Sequence, residues 1–368
     1  MYFDKELKAL KRANRFRQRY IFDENLLDLA SNDYLGLASN KTIFKKAVKQ
    51  ISSLQSSGPK ASMIVNGYSK IHQQFEQLLC KVNNFDDGII VGSGFLANMA
   101  LIESMVRKND ILLIDEDYHA SGILASKLVQ GKVEIFNHND IEDLEKKITQ
   151  HSKLNIKNSR IIIAIEGIYS MQGDIAPKEI ATIANDYNAL LLVDEAHSSG
   201  VIGSNLLGWF DHFNIQIRAN HIKMGTLGKA YGSYGAYILA SKETISFLEN
   251  RAKPIIYSTA PSLIDTAIGY QALKYILKNK DKLKKKIKKR QNMLKEILDI
   301  DIDGLIVPIE INNNQKVLDI KEELKTKGFN VGAIRQPTVK KAIIRLIAKI
   351  DISKNNLKEL LNLLNSQQ

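Results

Sequence analysis

From about residue 40 to 260 the chain alternates two hydrophobic periods. Apolar residues recur at helical spacing in segments such as Ile71-His-Gln-Gln-Phe-Glu-Gln-Leu-Leu-Cys80. Between such segments stand short runs that are apolar on both faces, at 88–91, 111–114, 133–136, 161–165, 190–193 and 235–239. Strands buried on both faces and separated by helices form a mostly parallel sheet covered on both sides, so this stretch predicts an α/β domain. Beyond it the pattern changes. A basic helix over 274–295 leads to expected strands at 305–309, 330–334 and 343–348 and helices at 315–326 and 353–364. With a basic N-terminal helix, these predict a smaller α+β domain assembled from both chain ends. The expected boundaries are 1–40 for the N-terminal segment that joins the small domain and 41–260 for the large domain. The linking helix and C-terminal small domain are expected over 261–368.

Composition narrows the class. At 368 residues, 44% hydrophobic and 25% charged, the chain can bury a substantial core, which excludes disordered and collagen-like architectures. No apolar run approaches the roughly 20 residues of a membrane span. The N-terminus, Met1-Tyr-Phe-Asp-Lys-Glu, mixes charges and lacks a signal peptide's apolar core, so a cytoplasmic protein with no membrane association is expected. The single cysteine, Cys80, rules out an internal disulfide and a multi-thiolate metal site, and its expected role is that of a buried apolar residue on the helix around 75–82. The formal charge of +12 is concentrated in 274–295, where the expected reading is the solvated face of a long helix. Nucleic acid or an acidic carrier would be the alternative partners of such a run. The absence of aromatic residues interleaved with its lysines argues against single-strand binding.

Ligands of open α/β sheets gather at the carboxyl ends of the strands. Three expected strand ends deliver carboxylates and imidazoles there: Asp115-Glu-Asp-Tyr-His119, Glu166-Gly-Ile-Tyr-Ser170 and Asp194-Glu-Ala-His197. The Asp-Glu-Ala-His run also occurs in helicases, but no phosphate-binding G-x-x-x-x-G-K-[ST] loop accompanies it. Zinc-type spacing is missing and no metal is expected. The nucleophile elbow of a serine hydrolase is missing as well. What remains is Met224-Gly-Thr-Leu-Gly-Lys229-Ala-Tyr-Gly, a lone lysine in a glycine-rich turn, suited to Schiff-base chemistry. Paired with Asp194 it becomes specific. Pyridoxal 5'-phosphate needs such a lysine, a carboxylate that keeps its ring nitrogen protonated, and a phosphate site, which Gly92-Ser-Gly-Phe95 at the start of a helix offers.

Six segments in order then carry a family resemblance: Asn32-Asp-Tyr-Leu-Gly-Leu37, Ser93-Gly-Phe-Leu-Ala-Asn98, His119-Ala-Ser121, Glu166 through Pro177, Val193-Asp-Glu-Ala-His-Ser-Ser-Gly200 and Thr226 through Gly235. Together, over about residues 10 to 350, the chain resembles the α-oxoamine synthases, pyridoxal-phosphate-dependent acyltransferases of the aspartate-aminotransferase fold type (fold type I). The resemblance implies that Lys229 forms the Schiff base and moves the substrate Cα proton. It implies that Asp194 pairs with the ring nitrogen, that His119 stacks on the ring, and that His197 bonds the phenolic oxygen with Ser170 nearby. Gly94, Phe95 and Thr226 would hold the phosphate, helped by Ser258 or Thr259 from a second subunit of a homodimer. Asn32 and Glu166 would lie near the reacting centre, and Arg345 would grip the amino-acid carboxylate with its bidentate fork.

Within the family, Gly332-Ala-Ile-Arg335-Gln-Pro-Thr338-Val, Phe136-Asn-His-Asn-Asp140, Tyr257-Ser-Thr-Ala260 and Arg17-Gln-Arg-Tyr20 resemble the branch that condenses L-alanine with a pimeloyl thioester. The donor would be pimeloyl-CoA or pimeloyl acyl carrier protein, with Arg17 and Thr338 on the substrate side. A sister activity joining glycine to acetyl-CoA stays open at this point, as do a chain that has lost turnover and a nucleic-acid binder. The chain departs from the family pattern in the 57–67 segment, at Gln172 and Gln336, and in a shortened 338–345 loop, all on the acyl side.

Overall fold

The computed structural model describes residues 2–153 and 159–365. These residues form two units: a larger one from 32–306 with 349–351, and a smaller one from 2–31, 307–348 and 352–365. The division differs from the expected one at both ends. Residues 32–40 and 261–306 go with the larger unit, because the helix Leu263–Leu298 packs along helices Lys41–Ile51 and Lys70–Asn83. Leu263 and Ala267 form a core cluster there with Ala47, Ile51 and Ile71.

The larger unit is built on a seven-stranded sheet. Its strands are β1 (Asp87–Val91), β2 (Ile111–Asp115), β3 (Lys132–Phe136), β4 (Ile161–Glu166), β5 (Leu190–Asp194), β6 (His221–Thr226) and β7 (Ala236–Ala240), in the spatial order β1-β7-β6-β5-β4-β2-β3. Only β7 runs against its neighbours β6 and β1. Its reversal follows from length, since the connection 227–235 is too short for the crossover that a parallel neighbour demands. Alternate residues Leu112, Ile114, Ile162, Ala164, Leu192, Ile222, Met224 and Ile238 form one core with the helix Gly94–Met105. Burial of this kind stabilises by roughly 25 cal/mol per Å² of apolar surface.

The expected strands all appear, with ends shifted by a residue or so. The smaller unit carries Ile306–Glu310, Gly332–Ile334 and Ile343–Ile347 in a three-stranded sheet, with helices Asp4–Arg12, Asn314–Thr326 and Lys354–Asn365. The single strand expected over 330–334 is two, because Phe329–Asn330 pairs with Leu27–Asp28 whereas Gly332–Ile334 pairs with Ile343–Ile347. Along the basic helix, Lys274, Lys278, Lys282, Lys285 and Lys289 are exposed while Leu283, Ile287, Met293 and Leu294 are buried, as a solvated face requires. Cys80 is only partly buried, a correction to the expected core position, and burial pushes its thiol up to about 12. Among the described residues no helix is long and apolar enough to cross a membrane, and no group of three or more His, Cys, Asp or Glu could hold a metal ion.

Candidate active site

The carboxyl ends of β4, β5 and β6 build the floor of the site. Glu166 and Asp194 close adjacent strands and sit directly across from each other in register, and Thr226 closes the next strand. Lys229 follows three residues later in the 227–235 return. Gly232 makes that return possible: its φ is +60°, and a Cβ there would strike the backbone at Leu37 and Ala38. On the other side the Gly94–Met105 helix begins, with Ser93 capping it by accepting from Leu96 N–H at 3.2 Å. The N–H groups of Gly94 and Phe95 stand at that helix N-terminus, where the helix dipole favours an anion. His119 caps the next helix, Ala120–Ser126.

Gly94, Phe95, His119, Glu166, Asp194, His197, Thr226 and Lys229 all line one cavity of about 190 Å³. Asp194 is buried and accepts from Ala196 N–H at 2.9 Å and from Asn98 Nδ2 at 2.8 Å. Lys229 Nζ lies 2.6 Å from His197 Nε2, and His197 Nδ1 lies 2.5 Å from the Tyr34 hydroxyl, which donates in turn to Asn32 Oδ1 at 3.4 Å. The protons run in one direction: Lys229 donates to Nε2, Nδ1–H donates to Tyr34, and Tyr34 donates to Asn32. Burial holds the His119 imidazole below its ordinary pKa, and the Lys229 charge adds to the effect. Burial also pushes the Glu166 carboxyl well above the usual range, with the Asp194 charge reinforcing it. Its Oε2 accepts from Ser170 N–H at 3.2 Å, while its Oε1 is buried without a hydrogen-bond partner.

These residues fit pyridoxal 5'-phosphate. The cavity holds a lysine amine and a fixed carboxylate. It also holds a helix N-terminus beside a threonine hydroxyl, and an orphaned buried oxygen that a polar occupant would satisfy. Gly94 stands beside Thr226 on this cavity: a Cβ built on it would lie in ordinary van der Waals contact, 3.8 Å from the Thr226 Cβ and 3.9 Å from its Oγ1.

Other expected site residues stand apart from the cavity lining. Ser170 touches the site through Glu166. Ser258 and Thr259 follow the short helix Lys253–Ile256 and do not line the cavity. Arg17 and Thr338 line a separate cleft of about 370 Å³ within the smaller unit, together with Arg15 and Arg335. Arg345 is buried on the strand Ile343–Ile347 of that same unit. Gln172 donates to Asp117 at 2.7 Å, and Gln336 precedes a cis proline. Sequence reasoning assigned no role to Tyr34 or Asn98, although both stand inside the quoted motifs. A buried polar residue within an otherwise apolar helix turn was the available signal for Asn98.

The family model for aminotransferase class I and II matches residues 24–364. The chain is 45% identical over 363 residues to the 8-amino-7-oxononanoate synthase of Helicobacter pylori, covering 98% of this chain and 96% of that one. It is 34% identical to the enzyme of the same name from Petrotoga mobilis, covering 88% and 83%. Among solved structures, serine palmitoyltransferase from S. paucimobilis superposes with a TM-score of 0.88 at 20% identity, covering 99% and 97%, a likeness of fold. The 8-amino-7-oxononanoate synthase of Francisella tularensis superposes with a TM-score of 0.77 at 25% identity, covering 94% and 98%. With six motifs in order and a cavity that fits pyridoxal phosphate, the chain belongs to the class I and II aminotransferase family and, within it, to the α-oxoamine synthases most like 8-amino-7-oxononanoate synthase.

Proposed function

We propose that the chain condenses L-alanine with a pimeloyl thioester, carried on CoA or on acyl carrier protein, and releases CO₂ to give 8-amino-7-oxononanoate for biotin synthesis. It does so as a cytoplasmic homodimer. The observation that carries the reading is the single cavity in which Lys229, Asp194, His119 and His197 meet at the start of the Gly94–Met105 helix. Bound pyridoxal phosphate supplies a carbonyl for Schiff-base formation and a ring that accepts an electron pair from the substrate Cα.

Lys229 takes the Cα proton and later returns it, and His197 at 2.6 Å positions the amine and accepts its hydrogen bond. Asp194 keeps a negative charge at the ring nitrogen, its two hydrogen bonds holding it in one orientation. Burial favours the neutral form of Glu166, and that form offers a hydrogen-bond donor beside the reacting carbon. His119, also neutral, offers a face for stacking and an N–H for the developing oxyanion. Gly94, Phe95 and Thr226 bind the phosphate, with Ser258 or Thr259 of the second subunit completing it. Arg345 binds the alanine carboxylate, and Asn32 and Ser170 support the centre through Tyr34 and Glu166. In this reading Arg17 and Thr338 serve the acyl donor.

The test is the visible spectrum of the purified protein with pyridoxal phosphate, titrated with L-alanine, glycine and L-serine and followed by product analysis with pimeloyl-CoA. Tightest response to alanine and formation of the amino-oxo acid support the reading. Preference for glycine with acetyl-CoA, or no spectral response to any amino acid, overturns it.

A further inference from the structure

Asn98 stands one turn after Gly94 on the Gly94–Met105 helix, so a buried amide lies on the same helix face as the anion-binding end, about 6 Å along the axis. Its side chain is 1% exposed and fully engaged. Nδ2 donates to Asp194 Oδ2 at 2.8 Å and to Ser121 Oγ at 2.9 Å, and Oδ1 accepts the Tyr118 hydroxyl at 2.9 Å. Burial keeps Tyr118 protonated and therefore a donor. Only one orientation of the amide satisfies these partners, since exchanging N and O would set a carbonyl oxygen against the Asp194 carboxylate.

The direction of donation then propagates. The Ser121 backbone N–H donates to His119 Nδ1 at 3.2 Å, and with Asn98 already donating to Ser121 Oγ, the arrangement that satisfies all three groups has the Ser121 hydroxyl donating to the same Nδ1 at 2.7 Å. Nδ1 is thus an acceptor, and the neutral ring carries its proton on Nε2. We propose that Asn98 is a positioning residue that fixes both the orientation of the Asp194 carboxylate and the Nε2–H tautomer of His119 through one hydrogen-bond chain. The inference rests on the reading of this cavity as the pyridoxal-phosphate site. It explains why two groups with different tasks are wired together. An imidazolium at His119 would compete for the Asp194 charge, whereas a neutral ring leaves that charge to the cofactor nitrogen.

The experiment follows ¹⁵N-labelled histidines by NMR in the protein with and without pyridoxal phosphate, with His119 assigned by its loss in His119→Gln. The wild type is expected to show a proton on Nε2 and a lone pair on Nδ1. In Ser121→Ala the His119 midpoint is expected to rise by about half a unit or more, because the lost hydroxyl favoured the neutral ring. In Asn98→Ala the same rise is expected, together with a cofactor dissociation constant roughly ten- to hundredfold higher, as losing a hydrogen bond to a charged group implies. If Asn98→Ala does not fold, Ser121→Ala, which removes a single oxygen, still decides the tautomer question. A proton on Nδ1 in the wild type, or an unmoved His119 in Ser121→Ala, overturns the proposal. The NMR readout is independent of substrate. Failure of the wild type to turn over L-alanine would therefore overturn the functional reading and leave the tautomer result standing.

Discussion

At the scale of single residues, chemistry and backbone geometry meet around Lys229. Lys229→Ala is expected to bring turnover to background and to abolish the visible band of the lysine-bound cofactor, while pyridoxal phosphate still binds weakly through the helix end and Asp194. Absorption spectra with equilibrium dialysis check both halves. Gly232 is the structural partner of that lysine. Adding a Cβ at φ +60°, against the backbone of Leu37 and Ala38, forces the return to shift. Gly232→Ala is expected to cost about 1–3 kcal/mol, read as a lowered midpoint in urea. His119, Glu166, Asp194 and His197 were legible in the sequence because each stands at or just after an expected strand end, where the parallel sheet exposes side chains to ligand. The strand His221–Thr226 was not expected, since a histidine, a lysine and a glycine interrupt its apolar run, and Lys229 beyond it was legible only through its glycine-rich turn. Tyr34 and Asn98 were less legible because their tasks arise from long-range pairing. Tyr34 meets His197 across 163 positions and Asn98 meets Asp194 across 96.

At the scale of elements, the Gly94–Met105 helix links stability to binding. Its inner face is core and its first turn is site, so its start must be held at the right residue. Ser93 does this by capping, and Ser93→Ala is expected to cost about 1 kcal/mol of stability and to weaken phosphate binding. Thermal unfolding and inorganic phosphate titration measure the two effects. The sequence places the start of this helix only within Gly92–Phe95, because the cap and the glycine that precede the apolar stripe carry no hydrophobic signal. The same limit explains the merged strand over 330–334. A run of apolar residues does not say that its two halves pair with different partners, 27–28 and 343–347. The long helix shows a further limit, since which unit a connecting helix joins depends on the face its partners cover.

At the scale of the whole molecule, loops after three strands are tied by His138. Its Nδ1 lies 2.9 Å from Asp115 at the end of β2, its Nε2 lies 2.7 Å from Asp174 in the loop after β4, and its ring meets Tyr169 edge-on at 4.3 Å. Both ring nitrogens face carboxylates, so the imidazolium form is favoured and the pKa rises to about 10 against burial. A group whose pKa is higher in the folded chain than in the unfolded chain stabilises fully below the unfolded value, about 6.5, and loses that contribution as pH rises through about 10. The melting temperature is therefore expected to fall between pH 7 and 10.5 in the wild type and to fall less steeply in His138→Gln. A parallel pair of melting curves across that range tests it. The division into two units carries a consequence for synthesis on the ribosome. Strand Leu27–Asp28 pairs with Phe329–Asn330, so its partner is made 329 − 27 = 302 residues later. At roughly 5–20 residues per second that wait is about 15–60 s. Every residue lining the 190 Å³ cavity lies between 94 and 229, inside the unit that ends its main run at 306. The residues that this chain gives to the cavity lining are thus all synthesised while the first strand of the smaller unit still stands unpaired.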